Sequence, residues 1–277
     1  MAIRILDPEF EEAVGLLDAG DHDRLRRLLQ SNPRLLTDVV PLEEVSAGGY
    51  FSTPKLMWFV AENPIRNGTL PDNIVTVANT IIDLAKACDA NGWQNDVNYT
   101  LGLVASGCVP RECGVQRDLI RALVEAGAEP GRAVATALSH REIEACRALI
   151  DCGAEISLHL AAGLGLKPDV ERLADSAKPE ALQEALALAA ANGQADCARV
   201  LLERGADPNR FNPDGFHAHS TPLHQAVSAG SLATVEVLVD GGAPIKTRDK
   251  LFGGDALGWA EHFGRDEIAE FLRTVRT

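Results

Sequence analysis

The sequence predicts an all-α solenoid of about seven to eight helix-turn-helix repeats with irregular inserts. Three observations carry this. Apolar residues recur at i, i+3 and i+4 in short paired runs, as at Leu223, Ala226 and Val227 followed by Val235, Leu238 and Val239, which is the spacing of one helical face. Glycines stand between and after the runs, as Gly230 and Gly241-Gly242 do, where a helix stops. The paired unit then recurs. With Leu223 as reference, its counterparts are Ala13, Leu56, Leu101, Val134, Leu158, Leu186 and Leu257, spaced 43, 45, 33, 24, 28, 37 and 34 residues apart. No segment reads as a strand. A helix pair of this kind cannot bury both its faces alone, so it must stack on neighbours.

The organising stretch is Thr221-Pro222-Leu223-His224-Gln225-Ala226. Thr221 is placed to cap the first turn, and Pro222 sits where a missing N–H costs nothing. This stretch resembles the ankyrin repeat, whose signature is T-P-L-H-x-A at a period of about 33 residues. The whole chain resembles the stand-alone bacterial ankyrin-repeat proteins. The resemblance implies a protein–protein interaction module, an adaptor, inhibitor or immunity-type binder, that works through a concave face and finger loops. It also implies that His224 ties adjacent repeats by hydrogen bonds. One domain over 1–277 is expected, with divergent repeats in 1–99 and clearer ones in 100–277.

Taken in order, the first copy runs from Glu9 to Leu29, with Asp7-Pro8 as its cap and Gly20 as its turn. Asn32-Pro33 breaks it. The second opens at Thr53-Pro54 with Leu56, Phe59 and Val60. A long insert, 62–72, separates it from a helix expected near Asp72 to Ala87 on the stripe Ile74, Val77, Ile81 and Leu84. Residues 91–99 read as a polar loop, followed by the third copy from Leu101. That copy carries an insert through Cys108 and Gly114 before Leu119, Ile120 and Leu123. The fourth uses Val134, Ala137 and Leu138, then Ile143 to Ile150. The fifth, at Leu158 to Gly165, has a short second helix at Val170 and Leu173. The sixth joins Leu186–Gly193 to Val200–Leu202. The eighth pairs Leu257–Gly264 with Ile268, Phe271 and Leu272.

Lys and Arg number 26 against 40 Asp and Glu, a net charge of −14. That balance argues against nucleic acid and anionic membrane surfaces, where phosphate contacts dominate. It would steer in a basic protein partner. The first residues carry no secretory apolar run, and no stretch approaches the roughly 18 apolar residues of a membrane span. With six cysteines, Cys88, Cys108, Cys113, Cys146, Cys152 and Cys197, the expectation is a cytoplasmic monomer in a reducing compartment. Cys146 and Cys197 fall in core slots.

The uneven spacing leaves long fingers at 46–53 and 91–99 and after the sixth and seventh copies. Seven of the chain's thirteen aromatics lie there: Tyr50, Phe51, Trp93, Tyr99, Phe211, Phe216 and Phe252. Aromatics give large contact area at small entropic cost, so these are the candidate partner-binding residues, set as two aromatic rims around a smooth centre. A small core beneath each finger is the alternative. His217 and His219 join the candidates: spaced by two, they would share one side of an extended segment, either as finger contacts or as ligands for zinc or copper. Metal or small-ligand binding there is thus a second function class, and an enzyme with its site in 62–72 a third. No catalytic residues and no cofactor are expected.

Overall fold

A computed structural model describes residues 4–43, 54–88 and 92–275. It divides the chain into two compact units, Met1–Ala137 with Glu144–Ala154, and Leu138–Ile143 with Glu155–Thr277. Among the described residues there is no sheet. The extended contacts are two isolated bridges, Ile5 to Leu42 and Val39 to Lys55.

The first unit begins with α1 (Pro8–Asp18) and α2 (His22–Ser31). Asp7 caps α1 through the N–H groups of Glu9 and Phe10. Short 3₁₀ segments follow at Pro33–Leu36 and Leu56–Ala61, then α3 (Ile74–Ala87), α4 (Trp93–Ser106), α5 (Cys108–Glu112), α6 (Gln116–Glu125), α7 (Pro130–Ser139) and α8 (Ile143–Asp151), of which the end of α7, the turn through Arg141 and the first residue of α8 belong to the second unit. Two rows result. The segment 56–61 packs on α1 and α4, while α3 packs on α2 and α6. The second repeat therefore opens as a 3₁₀ segment. It ends at Glu62, which takes the left-handed conformation with φ 52°.

Residues 93–99 correct an expectation. They are helix, the first half of α4, so Trp93 and Tyr99 are not on a finger loop. The apolar stripe Val97, Leu101, Val104 and Ala105 is buried without interruption, and at helical spacing it carries the polar residues between its members into the helix.

The second unit holds α9 (Leu158–Leu164), α10 (Lys167–Ala174), α11 (Pro179–Ala191), α12 (Ala195–Glu203), α13 (Pro222–Ala229), α14 (Leu232–Asp240), α15 (Ala256–His262) and α16 (Asp266–Val275). Helices α9, α11, α13 and α15 stack in one row, and α10, α12, α14 and α16 in another. Helix α11 lies between α9 and α13. Its Ala185, Ala187, Ala189, Ala190 and Ala191 are all buried, as a helix covered on most sides requires. Counting the 3₁₀ opening of the second repeat, eight helical pairs lie among the described residues in the expected order, with α4 and α11 starting earlier than the expected Leu101 and Leu186.

Cys146 and Cys197 are buried, and burial first of all pushes the Cys197 thiol up to about 11, so both pack as small core residues. The second unit's inner turns use left-handed glycines, such as Gly165 and Gly230. Between α7 and α8 the left-handed residue is Arg141, with φ 60°.

Candidate functional site

The second unit carries two long fingers, 205–221 between α12 and α13, and 241–255 between α14 and α15. Buried side chains fix their roots. Gln183 on α11 accepts from the Asp207 N–H at 3.1 Å and donates to the Asp207 carbonyl at 3.0 Å. His224 fixes the other end. Its Nδ1 accepts from the Thr221 N–H at 3.2 Å, which leaves Nε2–H to donate to the Gly254 carbonyl at 3.1 Å. One imidazole thus closes the capping box of α13 and holds the exit of the next finger, the tie between repeats implied by the T-P-L-H stretch. Burial, above all, keeps it below the usual histidine range.

The tip of the second finger is built around Asp249. Its buried carboxylate accepts from Leu251 N at 2.9 Å, Phe252 N at 2.6 Å, Gly254 N at 2.8 Å and the Trp259 indole at 3.0 Å. Desolvation opposes the charge, but the bonds from Phe252, Trp259, Gly254 and Leu251 outweigh it and hold the carboxyl well below its usual range. The turn so fixed leaves Leu251 68% and Phe252 79% exposed. Exposing a Phe forgoes roughly 1.5–3 kcal/mol of burial, and the backbone is pinned in the form that exposes it.

The fingers touch each other. The Lys250 N–H donates to the His219 carbonyl at 2.8 Å. Its ammonium donates to the Ala218 carbonyl at 3.3 Å and lies 4.1 Å above the Phe211 ring. His219 sits edge-on to Phe252 at 6.2 Å and tilted against Trp259 at 6.1 Å. Trp259 in turn meets the half-exposed Phe263 at 5.8 Å. A run of rings therefore crosses from the first finger over the second to α15.

The candidates fare unequally. Phe252 is exposed and sits with His219. Phe211 is half-buried under Lys250, the small-core alternative for that residue. Phe216 is half-buried and stacks on His159 at 6.3 Å. His217 lies in a turn with φ 61°, so the extended segment expected there is a turn instead; Gly215 and Pro213 direct the chain around it. The His217 Nε2 approaches the Ser139 carbonyl at 3.2 Å. Its ring meets His219 at 6.1 Å, and burial holds its imidazole below the usual range, opposed by the Ser139 contact. Among the described residues no group of three or more His, Cys, Asp or Glu side chains could hold a metal ion.

In the first unit, Trp93 is half-buried, and Tyr99 is 48% exposed with its ring 4.4 Å from that of Trp58. Tyr50 and Phe51 lie outside the described residues. The sequence reading missed Asp249, Leu251, Trp259 and Phe263. The signal for Asp249 was available, since an Asp ahead of Gly253-Gly254 is a turn former whose side chain bonds backbone N–H groups a few residues on.

The insert at 62–72 is organised by a carboxylate used for structure. Glu62 is fully buried. It accepts from Arg66 N at 2.9 Å, from Asn67 N, from Gly68 N at 3.1 Å and from the Arg66 guanidinium at 2.7 Å. Arg66 pairs in turn with Asp18 at 2.6 and 2.7 Å and lies over Phe59.

The family described as "Ankyrin repeats (3 copies)" matches residues 108–212 and 186–275. The chain is 30% identical over 134 residues to the human cyclin-dependent kinase inhibitor 2A, covering 42% of this chain and 83% of that protein. It is 33% identical over 121 residues to the human cyclin-dependent kinase 4 inhibitor B, covering 33% of this chain and 87% of that protein. It is also 33% identical over 86 residues to the potassium channel GORK of Arabidopsis thaliana, covering 31% of this chain and only 10% of the channel. Fold and matches together define a protein–protein interaction module built of helical repeats. The chain belongs to the ankyrin-repeat family. Among the described residues no helix is long and apolar enough to cross a membrane.

Proposed function

We propose that this chain docks a protein partner on the paired fingers of its second unit, as an adaptor, inhibitor or immunity-type binder. The observation that supports this is Phe252, 79% exposed at a tip that Asp249 pins with four hydrogen bonds. The two human relatives are named as kinase inhibitors, which favours an inhibitor-type role. We take the 277 residues as one repeat domain acting as a monomer, without a cofactor and without nucleic acid. The six free thiols suit a cytoplasmic setting. The net charge of −14 favours a partner that is basic overall. Phe216, His217 and His219 would flank the docked segment, and Trp93 and Tyr99, with Tyr50 and Phe51, are candidates for a separate contact.

The test is a photo-crosslinking amino acid placed at position 252 in cells of the source organism, with position 240 on α14 as control. A discrete protein adduct at 252 that is absent at 240 is the expected result. Equal labelling at the two positions would remove the fingers as the docking site.

A further inference from the structure

We infer that the segment docked on these fingers is an acidic peptide stretch carrying a bulky apolar anchor, although the chain as a whole is strongly acidic. The inference rests on the finger-docking role proposed above and adds the chemistry of the partner. Along the second finger, Lys246, Arg248 and Lys250 are exposed at every second residue, while Asp249 between them is buried. Lys246 lies in the turn after Pro244 and Lys250 opens the turn at the tip, and the three cations face solvent while the one carboxylate among them is buried. Lys250 adjoins Leu251 and Phe252 in the chain, and the Arg248 guanidinium reaches Gly253 across the same turn.

Three of the four finger carboxylates are engaged by other groups. Asp249 serves the tip, Asp255 accepts from Gly258 N at 2.9 Å to cap α15, and Asp207 accepts from both nitrogens of Asn209. Asp214, on the hairpin of the other finger, stays exposed. Arg248 donates to its own Gly253 carbonyl at 2.8 Å and Lys250 to Ala218, bonds to neutral oxygens, and neither cation forms an ion pair with a carboxylate among the described residues. Fields from distant carboxylates fade over about 8 Å at physiological salt, so a docked segment meets the local sign and not the net charge. A second copy joined symmetrically through this patch would set the three cations against themselves. The occupant is therefore a different chain, with Asp or Glu over the cations and a Phe, Trp or Leu against Phe252.

A random dodecapeptide library displayed on phage, selected on the full chain, tests this. The enriched peptides are expected to combine Asp or Glu with a large apolar residue. Their affinity should fall ~10-fold or more in the Lys246→Glu, Arg248→Glu double variant, weaken with salt, and be lost in Phe252→Ala. Melting temperatures of the variants check that the finger still folds. If Arg248→Glu disturbs the turn, Lys246→Glu alone carries the test. Neutral or basic peptides that still need Phe252 would overturn the charge inference and leave finger docking standing. Peptides indifferent to Phe252→Ala, or none enriched, would count against both. Equal binding of a short single-stranded DNA would show a general polyanion surface and overturn the acidic-peptide assignment.

Discussion

The Asp249 carboxylate accepts the Trp259 indole N–H at 3.0 Å and so joins the tip of the second finger to α15. Both partners are buried, and the same carboxylate holds three backbone N–H groups of its own loop. Asp249→Asn keeps the shape but removes the charge and turns one acceptor into a donor. Hydrogen bonds to a charged group are worth roughly 1.5–3 kcal/mol each, and the variant keeps part of them. A stability loss of about 2 kcal/mol is expected in urea unfolding, with faster amide exchange at Leu251, Phe252 and Gly254. The sign with pH follows. The folded carboxyl titrates below its unfolded value of about 3.9, so the stabilisation is complete above that pH and is lost as pH falls through the folded value. Wild type should lose stability on acidification below about pH 4 more steeply than Asp249→Asn.

His224 gives the second expectation, in a different pH window. The buried neutral ring accepts at Nδ1 from Thr221 and donates at Nε2 to Gly254. Burial depresses its folded value first of all, opposed by the Gly254 carbonyl, Asp249 and Asp255 and assisted by His219. Below about pH 6.5 the unfolded ring takes up a proton while the folded one resists, so stability falls as pH drops from there towards the folded value. His217, depressed in the same direction, adds to the slope. Thermal melts from pH 7.5 to 5.5 should show a falling Tm that flattens in His224→Gln. A Tm that rises on acidification would contradict the neutral, doubly bonded ring.

The parts of this architecture that were legible in the sequence are the local ones. Asp7-Pro8 and Thr221-Pro222 are caps that act within a turn. The stripes of α3 and α14 are periodic within a few residues of themselves. Residues 93–99 misled because Gln94, Asn95, Asp96 and Asn98 suggest a loop. What makes them helix is burial of Val97 and Leu101 against the segment 56–61 and α6, and that depends on residues far along the chain. The fingers show the same division. Phe211 and Phe252 are equivalent in the sequence. One is covered by Lys250, from the next finger, and the other is held in solvent by a carboxylate whose partner is Trp259. Which aromatic is available was settled by contacts between repeats, beyond the reach of spacing.

Glu62 concerns the insert that raised the enzyme alternative. The carboxylate is fully buried, and its oxygens are taken by Arg66, Asn67 and Gly68. Removing one member of a buried pair costs about 3–5 kcal/mol, because the partner charge is left behind. Here Arg66 keeps Asp18, so Glu62→Gln should cost about 2 kcal/mol. Glu62→Ala should cost more, since three N–H groups then lose their acceptor. Hydrogen exchange over 62–70 should quicken in both. Unchanged exchange there would mean that the loop is held by other contacts.

Arg141 supplies the last test, because its backbone and side chain pull in opposite directions. It occupies the left-handed turn position with φ 60°, where L-residues other than Gly are disfavoured by ~1 kcal/mol. Its side chain offsets this by reaching the ends of two helices of the second unit: Nε donates to the Ala191 carbonyl at 2.7 Å and Nη2 to Ser228 Oγ at 3.1 Å. Those are C-terminal ends, where carbonyls lack helical partners and a cation is favoured. Desolvation and the nearby Arg265 lower the guanidinium's affinity for its proton, without approaching neutrality at physiological pH. Arg141→Ala keeps the unfavourable backbone and loses the bonds, so it should be the less stable variant. Arg141→Gly loses the same bonds but relieves the turn, and should recover ~1 kcal/mol relative to Arg141→Ala. Urea unfolding of the two variants separates the terms. If Gly proves no more stable than Ala, the turn is not held left-handed in solution. If both match wild type, the bonds to α11 and α13 contribute nothing measurable.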